Sequence, residues 1–151
     1  MIRDEIKAAQ IAAMKARETA TVAATRLIQA AIKNRDIELR TATTTPDDDL
    51  TVIEVLQKMI KQRRESIELY DKGGRPELAA AEAAEVAVIE RFLPQQMSDG
   101  DAKLAVDAIA TELAAASLKD MGRVMAAVKE RHAGQLDMTK ASALVKARLA
   151  G

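Results

Sequence analysis

Apolar residues recur at intervals of three and four along most of the chain, which is the spacing of one face of an α-helix. The first such run consists of Ile2, Ile6, Ala9, Ala13 and Ala16. This run predicts a helix that extends to about Arg17. Its side chains are small, so a partner helix can approach it closely.

A second helix is predicted after a short break. Thr19 and Thr21 are its candidate N-caps, because a threonine hydroxyl can accept a hydrogen bond from a free amide of the first turn. The helix should run to about Glu38 or Leu39. Its inward stripe is predicted to be Ala23, Leu27, Ala30, Asn34 and Ile37, widened by Ile28 and Ala31. The short connection indicates an antiparallel hairpin.

A third helix is predicted after the loop at 41–46, whose threonines and Pro46 cannot continue a helix. Three aspartates, Asp47 to Asp49, open it, and acids suit the positive end of the helix dipole. Its apolar seam is Ile53, Leu56, Ile60, Ile67 and Tyr70, interrupted by Arg63.

A fourth helix is predicted to begin at Pro76, since proline is favoured at the first helical position. Gly73 and Gly74 separate it from the third helix, as glycine does at helix ends. Its buried side is predicted to be Leu78, Ala81, Val88 and Phe92. These two helices should again pack antiparallel.

The clearest boundary lies at Leu93 and Pro94, after which a new pattern begins. Ser98 followed by Asp101 resembles a capping box and predicts a fifth helix to about Ala116. A sixth helix should begin near Asp120, and Asp137 should cap a seventh. The inward residues of the last two are predicted to be Met121, Val124, Met125, Val128, Ala141, Leu144, Val145 and Leu149.

Together these elements predict an all-α protein. Residues 1–93 should form an N-terminal domain of about four helices in hairpins, and residues 94–151 a small C-terminal three-helix domain. Composition agrees, because 31 residues are alanine and only 1% are aromatic, which favours helices over a β-sandwich or barrel. The absence of cysteine excludes a disulfide framework, a thiol nucleophile and a cysteine-based zinc site.

Charge is balanced overall, with 23 basic and 23 acidic residues, which excludes nucleic-acid binding by bulk positive charge. Residues 119–151 nevertheless hold seven basic and three acidic residues. The predicted phosphate-binding residues are Lys119, Arg123, Lys129, Arg131, Lys140 and Lys146. Because this stretch lacks aromatic residues, RNA would be recognised through its backbone and shape rather than by base stacking. An ordinary solvated surface is the alternative.

Other candidate chemistry is sparse, and no catalytic residue, metal or cofactor is predicted. His132 is the single histidine, and a helix-end role explains it better than catalysis. The aspartates at 47–49 could bind Mg²⁺, but they also suit a helix start. Glu82, Glu85 and Glu90 lack the partner histidines of a di-iron bundle and are expected to form a solvated face.

The basic run Lys61 to Arg64 could touch phosphate. Pairing with Glu65 and Glu68 on the same helix is an equally good interpretation. At the N-terminus, acids follow Arg3 at once, which is not typical of a signal or transit peptide. A cytoplasmic location is therefore expected.

Six segments resemble the GatB/YqeY family in family order. They are residues 26–34 with 37–39, residues 50–53 leading to 61–66, residues 74–78, 90–98 and 119–125, and residues 134–137 followed by 142–146. The fourth reads Glu-Arg-Phe-Leu-Pro-Gln-Gln-Met-Ser and the fifth Lys-Asp-Met-Gly-Arg-Val-Met. The resemblance implies an all-α N-terminal part joined to a small C-terminal helical domain. It also implies a relation to the tail of the B subunit of glutamine-dependent tRNA amidotransferase, which grips the outer corner of tRNA while separate domains perform the chemistry.

The resemblance therefore implies tRNA as a partner, with amidotransferase or translation proteins as further partners. The resemblance alone also implies a carbon–nitrogen ligase activity with glutamine as amido-N-donor for this protein. No nucleophile or ATP-binding loop is visible in this sequence. The alternative function is a helical protein–protein adaptor that does not bind RNA. Salt dependence distinguishes the two, since phosphate contacts weaken steeply with salt and an apolar interface does not.

Overall fold

The computed structural model describes residues 1–44 and 46–150, so Thr45 of the predicted loop and Gly151 lie outside it. Within those residues the chain forms seven α-helices and no strand, which confirms the all-α fold class. The helices are α1 Ile2–Ala16, α2 Thr19–Leu39, α3 Asp48–Lys72, α4 Pro76–Glu90, α5 Asp99–Glu112, α6 Met121–Arg131 and α7 Met138–Ala150. A 3₁₀ turn, Leu118–Asp120, precedes α6.

The helices divide into two compact units, one covering Met1–Leu93 and the other beginning at Pro94. Each has its own hydrophobic core. The first core is built from Ile6, Ile28, Ile32, Val52, Val55, Leu56, Met59, Ile60, Val86, Ile89 and Phe92. The second is built from Ala102, Val106, Ile109, Val124, Val128, Leu136, Ala141, Val145 and Leu149.

The hairpin of α1 and α2 forms as predicted, but α2 buries a different face. Ile6 and Ala13 of α1 are buried. The buried residues of α2 are Ala24, Thr25, Ile28 and Ile32. The predicted inward stripe, Ala23, Leu27, Ala30, Asn34 and Ile37, is exposed instead. Of the residues predicted to widen the stripe, Ile28 is buried and Ala31 packs against the core as predicted. The stripe itself was wrong because alanine and aliphatic residues occupy both faces, so spacing alone cannot choose between them.

The predicted threonine caps of α2 were also wrong. Thr19 is already helical, and the N-cap is Glu18, whose side chain makes no cap hydrogen bond. Arg17 between the helices has a φ of 60°, in the left-handed region that ends many helices. The chain thus turns by backbone geometry, and no hydroxyl is needed there.

The caps of α3 and α4 follow the sequence prediction. The Asp47 carboxylate accepts a hydrogen bond from the Leu50 amide at 3.0 Å. Gly74 adopts a φ of 69° between the helices, a conformation that glycine adopts without strain. Pro76 is the first residue of α4.

The buried side of α4 differs in part from the prediction. Ala79, Val86 and Ile89 are buried. Phe92, just after the helix, is buried as predicted, and Val88 is partly buried against the same core. The predicted Leu78 and Ala81 are exposed. Apolar residues surround α4 on nearly every side, so its sequence gives no clear buried stripe.

Arg63 interrupts the apolar seam of α3 because it forms ion pairs with α4. Its side chain is 15% exposed, and Nε lies 2.7 Å from Glu85 and 4.0 Å from Glu82. Arg64 lies 3.1 Å from Glu90. The acids expected to form a solvated face therefore tie α4 to α3, and Glu68 pairs with Lys72 one turn along α3.

In the second unit, α5 ends at Glu112, four residues before the predicted end. Ala114 follows with a φ of 52°, and a capping box of Ser117 and Asp120 then starts the 3₁₀ turn. Ser98 caps α5 as predicted, accepting from the Asp101 amide. Asp137 caps α7 through the amides of Thr139 and Lys140. The predicted inward residues of α6 and α7 all contribute to the second core.

Candidate nucleic-acid interface

The six predicted phosphate-binding side chains are all exposed. Lys119 lies in the 3₁₀ turn. Three lie on α6, Arg123 near its start and Lys129 and Arg131 in its last turn. Lys140 and Lys146 lie on α7. The second unit therefore presents these cations on two helices and the turn that precedes them.

The start of α6 combines a cation with open backbone. An added Cβ on Gly122 would meet no atom within 4 Å, so an external group can approach the backbone there. Arg123 is the third residue of the helix, and its Nη2 lies 2.9 Å from Asp120 while Nη1 donates to the Leu113 carbonyl at 3.3 Å. The guanidinium is thus positioned beside the helix N-terminus, where the dipole favours an anion.

Asp120 links this turn together. Its carboxylate accepts from the amides of Ala116 and Ser117 and from Arg123. Those contacts, led by the Ala116 amide, hold the pKa of Asp120 below its ordinary value. Asp120 therefore stays ionised and orders the segment that carries Lys119 and Arg123.

Two other predicted cations form ion pairs with acids of α5. Arg131 meets Glu112 through both terminal nitrogens, at 2.5 and 2.9 Å. This hydrogen-bonded pair lowers the pKa of Glu112 and raises that of Arg131. Lys140 lies 3.4 Å from Asp99. The Lys119 and Lys146 ammonium groups have no ion pair with the described residues.

The local charge count thus overstated the free positive charge of this unit. Glu112 and Asp99 lie outside residues 119–151, but the fold brings them beside Arg131 and Lys140. Asp107 likewise approaches Arg148 at 3.5 Å. These acids are what the sequence prediction missed, since nothing local links α5 to the basic stretch.

The candidates for other chemistry have structural partners. Asp48 pairs with Arg3, and Asp49 accepts from the amide of Ile2. His132 ends α6, and its Nδ1 lies 3.2 Å from the amide oxygen of Gln135. Among the residues that the structure describes, no three acids or histidines are grouped to hold a metal ion.

The first unit also exposes several large apolar side chains on α1 and α2. Ile11, Met14, Leu27 and Ile37 are between 46% and 55% exposed. A shallow groove of about 490 Å³ runs along the turn between α1 and α2, lined by Met14, Arg17, Thr19, Val22, Ala23 and Arg26. None of the helices in the described part of the chain is long and apolar enough to span a membrane.

Comparison with known proteins gives short, partial relatives. The chain is 39% identical over 51 residues to an uncharacterized protein of Schizosaccharomyces pombe, covering 34% of this chain and 42% of that protein. It is 32% identical over 81 residues to the Eremothecium gossypii "altered inheritance of mitochondria protein 41, mitochondrial". This match covers 54% of this chain and 43% of that protein. A Saccharomyces cerevisiae protein of the same name is 28% identical over 95 residues. This match covers 63% of this chain and 48% of that protein.

The matched regions make up less than half the length of these curated relatives. At the level of the family the match is nearly complete. The protein-family model described as "Yqey-like protein" aligns with residues 3–149. The six resembling segments lie inside that span, and the chain belongs to the YqeY-like protein family.

Proposed function

We propose that this protein is a tRNA-binding module that contacts the phosphate backbone through its second unit. The observation that carries the proposal is the set of six exposed cations on α6, α7 and the preceding turn. Residues 94–151 contain no phenylalanine, tyrosine or tryptophan, so we infer that the bound feature is the backbone and the shape of the RNA rather than stacked bases.

The ion pairs of this surface are compatible with such a role. Exposed pairs contribute little to stability, because water screens the charges. A phosphate can therefore replace the carboxylate of Asp99 or Glu112 beside its cation. Arg131 suits this exchange, since its planar guanidinium binds phosphate with the same two-pronged geometry that it uses for Glu112.

Family resemblance supports tRNA as the RNA and tRNA-dependent amidation as the setting. In this proposal the protein presents tRNA to amidotransferase or translation proteins, and any glutamine-dependent carbon–nitrogen ligase activity belongs to that partner. A cytoplasmic location is part of this proposal, whereas two of the fungal relatives are named as mitochondrial.

A gel-shift titration with total tRNA at several salt concentrations tests the proposal. The variant replaces Arg123, Lys129, Arg131 and Lys146 with alanine. Each lost phosphate contact should reduce the salt dependence of log K by about one unit. We therefore expect the slope of log K against log salt concentration to be about three to four units shallower, with a large loss of affinity at low salt.

The matched control replaces four exposed cations of the first unit, Lys15, Lys58, Lys72 and Arg75, with alanine. It should keep the wild-type affinity and slope if the site is in the second unit. Circular dichroism checks that both variants stay helical. Unchanged tRNA affinity in a folded site variant would contradict the assignment and move the search to Lys61, Arg63 and Arg64.

A protein–protein adaptor is the second candidate function, and the apolar surface of α1 and α2 favours it. Exposed Met14 lines a groove that is mostly apolar, and Leu27, next to the lining residue Arg26 in sequence, is also exposed; exposed apolar patches mark protein contacts. A photo-crosslinking residue at position 27 tests this in the full chain. If crosslinks to a single protein persist at high salt and the chain does not bind tRNA at low salt, the protein is an adaptor and not an RNA-binding module.

A further inference from the structure

A groove of about 360 Å³ lies between α1 and α2 of the first unit. It is lined by Arg3, Lys7, Gln29, Ala30, Ile32, Lys33 and Asp36. Two side-chain contacts across the hairpin set its register. Arg3 pairs with Asp36 at 2.7 Å, and Gln29 donates to the amide oxygen of Gln10.

Lys7 and Lys33 lie between these two contacts. Lys7 is one helical turn from Arg3 on α1, and Lys33 is one turn from both Gln29 and Asp36 on α2. Residues three and four apart share a helix face, so both lysines extend toward the groove that they line. The hairpin therefore has a salt bridge at one end of the groove, an amide pair at the other and two cations in the middle.

The acid nearest in sequence to Lys33 is already engaged. Arg3 donates to both oxygens of Asp36, at 2.7 and 3.0 Å, and to both oxygens of Asp48, at 2.8 and 3.3 Å. Within the residues that the structure describes, the ammonium groups of Lys7 and Lys33 have no ion pair. The groove thus has two cations without an acid of their own.

Like charges that line one groove repel, and the repulsion is relieved when an anion lies between them. The groove offers more than charge. Ile32 forms a floor that is 3% exposed, and the Gln29 amide has a second N–H besides the one given to Gln10. Two flexible ammonium groups and an amide N–H can together surround a tetrahedral anion.

We propose that this groove is a phosphate-binding site in which Lys7 and Lys33 hold the phosphate group from two sides. The phosphate belongs either to a small phosphorylated compound or to an RNA backbone, since the recognition chemistry is the same. The site does not depend on the cations of the second unit, so it can exist whether or not those cations bind tRNA.

Inorganic phosphate is the direct probe, added at constant ionic strength with sodium chloride as the reference salt. Binding to the folded state raises Tm by mass action. We expect phosphate to raise Tm of the wild type and to shift the amide NMR signals of the groove. Lys7→Gln with Lys33→Gln should weaken phosphate binding about tenfold or more. Lys15→Gln with Lys58→Gln is the matched control and should respond like the wild type.

Lys33→Glu provides a second, independent variant, because it places an acid opposite Lys7. This variant should be more stable than the wild type without phosphate and should lose the response to phosphate. The proposal would be overturned if phosphate and chloride act alike on the wild type. It would also be overturned if the double glutamine variant keeps the wild-type response.

A parallel titration with tRNA separates the two sources of phosphate. If the site holds an RNA backbone, the double glutamine variant should also lose tRNA affinity, with a salt slope about two units shallower. If it holds a small phosphorylated compound, tRNA binding should be unchanged while the phosphate response is lost. Because the phosphate arm contains no RNA, failure of the proposed tRNA function cannot be mistaken for failure of this site.

Discussion

Leu56→Ala should destabilise the first unit by about 2–5 kcal/mol, the usual range for deleting most of a fully buried leucine side chain. Leu56 has no exposed surface and lies in the core that α1, α2, α3 and α4 share. The substitution leaves a cavity that rigid helices cannot fully close. Among the described residues, the buried members of that core all lie in the first unit, so we expect the second unit to keep its helices.

Tyr70 makes this outcome measurable. The protein has one tyrosine and no tryptophan, so intrinsic fluorescence reports only the unit that contains α3. Circular dichroism reports the helices of both units. In urea, Leu56→Ala should shift the fluorescence transition to lower concentration and leave a later dichroism transition from the second unit.

Leu69→Ala is the matched control, because it makes the same change on the same helix at a side chain that is 70% exposed. It should alter the free energy of unfolding by about 0.5 kcal/mol or less. Equal effects of the two substitutions would contradict the assigned core. A single shared transition in the Leu56 variant would contradict independent folding of the units.

Helix positions could be predicted from the sequence because their end signals are local. Asp47, Ser98 and Asp137 each bond an amide two or three residues ahead, so the residues that decide these ends are neighbours in the chain. Gly74 and Pro76 act through their own backbone restrictions. Such signals do not depend on what the helix later packs against.

The buried face of α2 could not be predicted, because tertiary packing chooses it. Thr25 is fully buried, although its hydroxyl is polar. The hydroxyl donates to the carbonyls of Thr21 and Val22, at 2.8 and 2.9 Å, which removes most of the penalty of burying it. Leu27, a better apolar candidate by type, is left on the surface. In an alanine-rich helix the faces differ too little for periodicity to decide.

Charge pairing could not be predicted for a related reason. Counting charged residues within α3 or within residues 119–151 considers only neighbours in sequence. Arg63 and Arg131 pair instead with acids on other helices. The two lysines between α1 and α2 are equally hidden from such a count, since each belongs to a different helix. Only the register of the hairpin brings them to one groove.

The strongest of these long-range charge contacts joins three helices at Arg3. Its guanidinium binds Asp36 of α2 and Asp48 of α3 with four hydrogen bonds, and its side chain is 26% exposed. Arg3→Met keeps an unbranched stem but removes the charged guanidinium, which leaves the carboxylates of Asp36 and Asp48 without their shared cation. We expect a loss of about 1–2 kcal/mol at pH 7, which is the value of charged hydrogen bonds reduced for solvent screening.

The loss should depend on pH. Arg3, chiefly through its hydrogen bonds, holds the pKa of Asp36 below its ordinary value of 3.8. A carboxylate whose pKa is lower in the folded state stabilises the fold above its unfolded-state pKa, and that contribution disappears as pH falls through the folded-state pKa. The wild type should therefore lose its advantage over Arg3→Met below about pH 4.

Urea unfolding at pH 7 and at pH 3, followed by Tyr70 fluorescence, measures this difference in the unit that contains Arg3. Arg35→Met is the control, since Arg35 forms an exposed pair with Glu38 three residues along the same helix and such pairs contribute about 0.5 kcal/mol or less. The difference in unfolding free energy between wild type and Arg3→Met should narrow at pH 3, because the carboxylate of the unfolded chain becomes protonated below about pH 4 and the advantage of the Arg3-bound Asp36 shrinks. An equal difference in unfolding free energy between wild type and Arg3→Met at both pH values would show that Arg3 acts through packing of its stem. The three-helix ion pair would then have no part in stabilising the unit.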